Sequence, residues 1–257
     1  MTKSIFITGT DTGVGKTHVT ALLLAELRSR GVRAAAFKPI ACGAGGRRDA
    51  KIYAELMDHE QPLDVLNPIY LRYPLAPSVA AKLERRRIDL AKIRRAYSQL
   101  TTHYSPVLVE GAGGLLVPIA RNYYVANLAR DLGLPVLIVA RLGLGTINHT
   151  LLTVRQAQAM GLHVCGIVLN DTGRETRASR EDEHRGDSKT VRCAAAGRRA
   201  ARKTRRGKGG TGDLPEVGSA VLMRLCGRWR LMIEGSDAAD TGPRSAHRMV
   251  MQLASCV

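Results

Sequence analysis

The stretch from Gly9 to Thr17 constrains this chain more than any other, reading Gly-Thr-Asp-Thr-Gly-Val-Gly-Lys-Thr directly after the apolar run Ile5-Phe6-Ile7 and directly before a helical pattern. A strand, a glycine-rich turn and a helix in that order are the setting of a phosphate-cradling loop. Glycines let the main chain approach an anion with no Cβ in the way, and the helix N-terminus aims free N–H groups at it. Lys16 then adds a cation for outer phosphates and Thr17 a hydroxyl for Mg²⁺. The pattern points to a nucleoside triphosphate. It is a variant, because five residues separate Gly9 from Gly15 where four are usual, and Thr10 stands at the expected glycine.

Around this loop, short apolar runs alternate with helical periodicity. Ser4 to Thr8, Ala34 to Phe37, Val107 to Val109, Val136 to Ala140 and Val164 to Leu169 read as buried strands. Thr17 to Arg30, Ala50 to Asp58, Leu90 to His103, Val125 to Leu132 and Ile147 to Met160 read as helices, with Gly31, Gly133 and Gly161 as stops. Continuous apolarity in the strands implies a parallel sheet covered on both faces. The expected fold is therefore α/β, a doubly wound parallel sheet of the P-loop NTPase kind, with ligands beyond the carboxyl ends of its strands.

Two carboxylates and a lysine fall at those ends. Lys38 follows the second strand in Phe37-Lys38-Pro39-Ile40-Ala41-Cys42-Gly43, placing a second ammonium beside the loop. Such a group can neutralise charge on a transferring phosphoryl group, or be an ordinary strand-end lysine. Asp49 opens a helix after the Gly43 to Gly46 loop, where an aspartate either caps the helix or reaches a metal. Glu110 ends the strand Val107 to Val109 ahead of Gly111-Ala112-Gly113-Gly114, a setting that favours a site. With Thr17, these two carboxylates are enough for Mg²⁺, which keeps waters and phosphate oxygens as its other ligands. Leu144 to Asn148 open another helix whose N–H groups suit a carboxylate. Asn170 after the fifth strand either reads a base edge or starts the turn at Asp171. Cys42 either packs or touches substrate.

The remaining composition restricts other readings. The net charge of +17 is shared between residues 1–170, with 21 Lys+Arg against 11 Asp+Glu, and residues 171–257, with 18 against 11. With two Phe and one Trp, stacking platforms for nucleic acid are scarce, so basicity alone does not make this a nucleic-acid binder. No run approaches a membrane span and Met1-Thr2-Lys3 leads into a strand, so a cytoplasmic protein is expected. Five unpaired-looking cysteines argue against a disulfide framework or a cysteine metal site. After Leu169 the character changes: residues 171–213 hold one Val and no Leu, Ile, Met, Phe, Tyr or Trp. A stretch so polar does not offset its ordering entropy. Everything beyond about residue 175 is expected to be poorly packed, giving an ATP-binding domain over 1–171 and a basic tail over 172–257.

Five motifs in order, Gly9 to Thr17, Lys38 to Gly43, Val109 to Gly114, Leu144 to Thr150 and Val168 to Asp171, give a chain that resembles the dethiobiotin synthetases of biotin biosynthesis. The resemblance runs from about residue 3 to residue 171. It implies closure of a ureido ring from 7,8-diaminononanoate and CO₂, with ATP and Mg²⁺, through a carbamate and a carbamic-phosphoric anhydride. It implies Lys16 and Lys38 as catalytic groups, and Thr17, Asp49 and Glu110 as metal ligands. ATP would lie against Thr12, Gly13, Val14, Gly15, Lys16, Thr17, His18, Asp49, Glu110, Gly111, Ala112, Gly113, Asn170 and Asp171. The diamine would meet Thr10, Cys42 and Leu144, Gly145, Thr146, Ile147 and Asn148, across a homodimer interface.

Departures from the family pattern stand beside it. Cys42 replaces a usual serine, and Asn127 stands where an acidic residue is expected. Members of the family continue past the Asn-Asp pair with a helix, a strand ending in a Gly-x-Leu-Pro turn, and a final helix. Gly212-Asp213-Leu214-Pro215 echoes that turn without a strand before it. The Arg/Ala/Gly bias leads to the expectation of a frame shift near residues 171–190, with an uncovered sheet edge. The rival families are cobyrinic acid diamide synthases, for whose glutaminase domain nothing here provides, and DNA-partitioning ATPases. The latter carry an extra loop lysine where this chain has Asp11.

Overall fold

The computed structural model describes residues 4–171 together with the backbone of 220–225, 228–233 and 249–252. Strand β1 (Ile5–Gly9) is followed by helix α1 (Lys16–Ser29), β2 (Ala35–Phe37), β3 (Ile40–Cys42) and α2 (Arg48–Leu56). Then come α3 (Leu63–Leu66), β4 (Ile69–Leu71), α4 (Pro77–Leu83) and α5 (Leu90–His103). The chain continues through β5 (Val107–Gly114), β6 (Pro118–Ala120), β7 (Tyr123–Tyr124), α6 (Val125–Asp131), β8 (Val136–Arg141), α7 (Thr146–Ala159) and β9 (Val164–Asn170).

Strands β2, β5, β1, β8 and β9 lie side by side in that order and all run parallel. Phe6, Ile7, Phe37, Val109, Ile138 and Val139 are fully buried, as a sheet covered on both faces requires. The connection leaving β1 runs toward β2 and that leaving β8 runs toward β9, so they diverge from the middle of the sheet. A doubly wound sheet opens its ligand crevice where connections diverge in this way, and here that places it at the carboxyl end of β1. The fold class read from the apolar runs is the one observed. Among the described residues no helix is long and apolar enough to cross a membrane.

Helix α5 shows how local chemistry sets an element. Asp89 accepts a hydrogen bond from the Lys92 N–H at 2.9 Å as its N-cap, and Ile93, Ala96 and Leu100 turn one face inward. By contrast, β3 and β4 pair over three residues each, Ile40↔Ile69 to Cys42↔Leu71, too short for a sequence period.

Two expectations need correction. Glu110 does not end its strand: β5 runs on to Gly114, with a register shift between Ile7 and Gly9 as the glycines bulge over β1. A Cβ on Gly111 would sit 2.9 Å from the Phe6 ring, so only glycine fits that approach. The edge of β9 is also not left open, because β12 (Met249–Gln252) pairs with it antiparallel, Met249↔Asn170 to Gln252↔Ile167. The unpaired groups of an edge strand accept any extended apolar segment that reaches them. Strands β10 (Ala220–Leu225) and β11 (Arg228–Ile233) form a separate antiparallel pair. Gly212 to Pro215, the polar run before it and Cys193, Cys226 and Cys256 lie outside the described residues, whereas Cys42 and Cys165 are free thiols.

Candidate nucleotide and phosphoryl-transfer site

Between β1 and α1 the chain turns through Gly13 (φ +77°) and Gly15 (φ +94°), both in the left-handed region. Gly15 is the N-cap of α1 and has no side chain to satisfy the first N–H groups, which leaves them for a ligand. Thr12, Gly13 and His18 are exposed along this loop, Thr17 is half-buried and Val14 buried. Lys16 is buried, and its Nζ donates to the Asp11 carbonyl at 3.1 Å, so the loop lysine is held by its own loop.

Below the loop lies a charged cluster. Lys38, at the end of β2, sends its Nζ to Asp49 Oδ2 and Glu110 Oε1, each at 2.7 Å. Thr17 Oγ1 donates to the same Glu110 oxygen at 3.0 Å, and the Tyr53 hydroxyl donates to Oε2. Glu110 is 1% exposed, and a carboxylate so buried is tolerated because both oxygens are hydrogen-bonded and an ammonium faces it. Asp49 lies in the first turn of α2, but the N-cap is Arg47, so the Asp49 carboxylate is turned to Lys38 and not to its own helix.

Burial works hardest on both lysines, with opposite net results. Burial and the neighbouring Lys38 charge outweigh the pull of Glu110 and lower Lys16 to about 8. For Lys38, the adjacent Glu110 and Asp49 carboxylates outweigh burial and raise its pKa above the usual lysine value. Lys16 thus binds fewer protons in the folded chain than in the unfolded one between about pH 8 and the ordinary lysine value of 10.5. Its contribution to stability therefore rises with pH across that window, and below it the full burial cost is present. Polyphosphate binding restores the proton, so at pH 8.5 calorimetry in buffers of different ionisation enthalpy should show net proton uptake. Buffer-independent heats would contradict this.

Thr17, Asp49 and Glu110 offer one hydroxyl and two carboxylates, an all-oxygen set whose chemistry suits a hard cation; the carboxylates meet at the Lys38 ammonium and the hydroxyl meets Glu110. Among the described residues there is no group of three or more His, Cys, Asp or Glu side chains that holds a metal without help. Phosphate oxygens and waters must complete such a shell.

Asn170, 2% exposed, reaches over the loop, and its Nδ2 donates to the Val14 carbonyl at 2.9 Å while Oδ1 has no partner among the described residues. Asp171 beside it is buried. Ala112 and Gly113 are half-buried on the bulge of β5 and Gly111 is buried. A cavity of about 400 Å³ opens beside the loop, lined by Thr10, Thr12, Gly114, Val117, Leu152 and Gln156 among others. Thr10 is therefore at the cavity. Cys42 and Leu144 to Asn148 do not line it, although α7, which begins at Thr146, reaches it through Leu152 and Gln156. Cys42 is half-buried on β3, and burial pushes its thiol to about 11. Thr146 is buried, whereas Leu144 is 73% exposed.

Sequence reasoning missed Tyr53, Leu152 and Gln156. For Tyr53 there was a usable signal: it stands four residues after Asp49 in a helix and so shares its face. Nothing in the sequence singled out Gln156.

A family model described as an AAA domain matches residues 3–199. The ATP-dependent dethiobiotin synthetase of Anaeromyxobacter dehalogenans is 48% identical over 175 residues, 67% of this chain and 78% of that protein. The one from Methanocaldococcus jannaschii is 41% identical over 170 residues, covering 65% and 78%. Among solved structures, the kinase domain of the Escherichia coli tyrosine kinase ETK has a TM-score of 0.44 and 20% identity over 68% of this chain and 69% of that one. With the P-loop, the Lys38 cluster and these relatives in view, the chain belongs to the ATP-dependent dethiobiotin synthetase family.

Proposed function

We propose that this chain is an ATP-dependent cyclo-ligase that forms dethiobiotin, ADP and phosphate from 7,8-diaminononanoate, CO₂ and ATP. The observation that carries the reading is the meeting of Lys38, Asp49, Glu110 and Thr17 directly below a phosphate loop. One substrate amine adds to CO₂, releasing a proton and giving a carbamate. A carbamate oxygen then takes the γ-phosphoryl group as ADP leaves, and the second amine closes the ring on the carbonyl carbon, expelling phosphate. The protein contributes position and charge. Lys16 and Lys38 stabilise the anionic carbamate and the transferring group, while the N–H groups of Gly13 to Thr17 hold the phosphates. Thr17, Asp49 and Glu110 would hold Mg²⁺, which when bound neutralises charge between the outer phosphates.

In this reading Asn170, whose Oδ1 has no partner among the described residues, accepts from the adenine amino group, and Asp171 lies beside it. Thr10 and Cys42 bound the diamine, and Leu144 to Asn148 hold its carboxylate in a homodimer. The apolar exposure of Leu116 (49%), Leu152 (59%) and Leu144 (73%) supports a covering second copy. The reading includes a cytoplasmic site of action, where ATP is available.

Residues 1–171 form the catalytic domain in this reading, and 172–257 a basic tail out of frame with the family. Supporting that division, the matches to the relatives span 166–175 residues, about two thirds of this chain. Independent resequencing that returned the same unbroken frame would remove the frame-shift explanation.

The function is tested by phosphate release from ATP. Release should require both diaminononanoate and bicarbonate. Release at the same rate without the diamine would exclude the reading.

A further inference from the structure

Glu110 is held from two sides by different elements. Its Oε1 accepts from Lys38 Nζ at 2.7 Å and from Thr17 Oγ1 at 3.0 Å, while Oε2 accepts from the hydroxyl of Tyr53. Tyr53 is fully buried on α2, one helical turn after Asp49, so both side chains leave the helix on the same face. Through Glu110 the Tyr53 hydroxyl therefore ties α2 to β5 and to Thr17 in the first turn of α1.

The last torsion of a glutamate has a broad, roughly two-fold potential, so packing alone does not fix the plane of its carboxylate. A donor on one oxygen does. A phenol ordinarily keeps its proton up to about pH 10, so at neutral pH the hydroxyl is a donor.

We infer that Tyr53 is a positioning residue that fixes the Glu110 carboxylate plane, so that Oε1 is the oxygen presented toward Thr17 and a divalent cation arriving with the nucleotide. This rests on the proposed metal role of Glu110. Tyr53 touches no reacting atom in that role and acts through Glu110.

The test uses the full chain with ADP and Mn²⁺ as the probe, free Mn²⁺ being followed by its paramagnetic resonance signal. Tyr53→Phe keeps the ring and removes only the hydroxyl. It should weaken Mn²⁺ binding by about tenfold or more, the usual effect of losing a partner behind a metal ligand. ADP affinity without metal should stay at the wild-type value, whereas the melting temperature of the nucleotide-free protein should fall by a few degrees, because Oε2 of the buried Glu110 loses its donor. Glu110→Gln should lose Mn²⁺ affinity, and adding Tyr53→Phe to it should cause no further loss.

Wild-type Mn²⁺ affinity in Tyr53→Phe, with Glu110→Gln impaired, overturns this inference and leaves the metal reading standing. Unimpaired binding in Glu110→Gln overturns both. A Tyr53→Phe loss that persists in the double variant, or that appears equally in metal-free ADP binding, also overturns the inference, because Tyr53 would then act through packing.

Discussion

Lys38→Ala is expected to reduce substrate-dependent phosphate release by about 10²- to 10³-fold, the range seen when one preorganised charge stabiliser is removed. It should also destabilise the fold. Glu110 is 1% exposed, and Lys38 is the ammonium 2.7 Å from it, so truncation leaves a buried carboxylate without its counter-charge. Breaking a buried pair from one side costs about 3–5 kcal/mol. The melting temperature should fall by on the order of 10 °C for a domain of this size. Combining Lys38→Ala with Glu110→Gln separates the two effects, because removing the orphaned charge should recover stability and leave activity lost. A double variant as unstable as Lys38→Ala alone would show that the pair is not the source of the destabilisation.

Gly15→Ala is the second large effect. The residue has φ +94°, and an alanine held there costs about 1–2 kcal/mol. Its Cβ would also lie 2.0 Å from Asn170 Nδ2, so the loop or the asparagine has to move and the bond from Asn170 to the Val14 carbonyl is strained or lost. A displaced loop N–H forfeits a charge-assisted hydrogen bond worth about 1.5–3 kcal/mol to a phosphate. Nucleotide affinity should therefore fall at least about tenfold, as read by titration with a fluorescent ATP analogue. Wild-type affinity would mean that the Gly15 N–H groups do not face phosphate.

Much of this architecture was readable because parallel strands announce themselves as uninterrupted apolar runs. Val136 to Ala140 and Val164 to Leu169 differ from the observed strands by one residue at the carboxyl end, and Leu90 to His103 matches its helix at both ends. Lys38 and Asp49 were legible because one follows a strand and the other opens a helix, and Glu110 because it is the carboxylate ahead of a run of glycines, although β5 continues through them to Gly114. What escaped lay in segments where tertiary contacts decide. The three-residue strands β3 and β4 have no period, and β12 forms because β9 offers an edge, not because Met249–Gln252 is a strong strand sequence. Tyr53 read as one more apolar residue of an amphipathic helix, since its role depends on a carboxylate 57 positions away.

The clamp that Asp49 and Glu110 place on Lys38 bears on chemical selectivity. CO₂ adds only to an amine with a free lone pair, and an ammonium has none. By keeping Lys38 protonated, the two carboxylates withhold it from carbamylation, so that in the proposed reaction the enzyme's own lysine does not compete with the diamine for CO₂. A pair of acidic residues positioned for charge balance would thereby also shield Lys38 from the reagent of the proposed reaction.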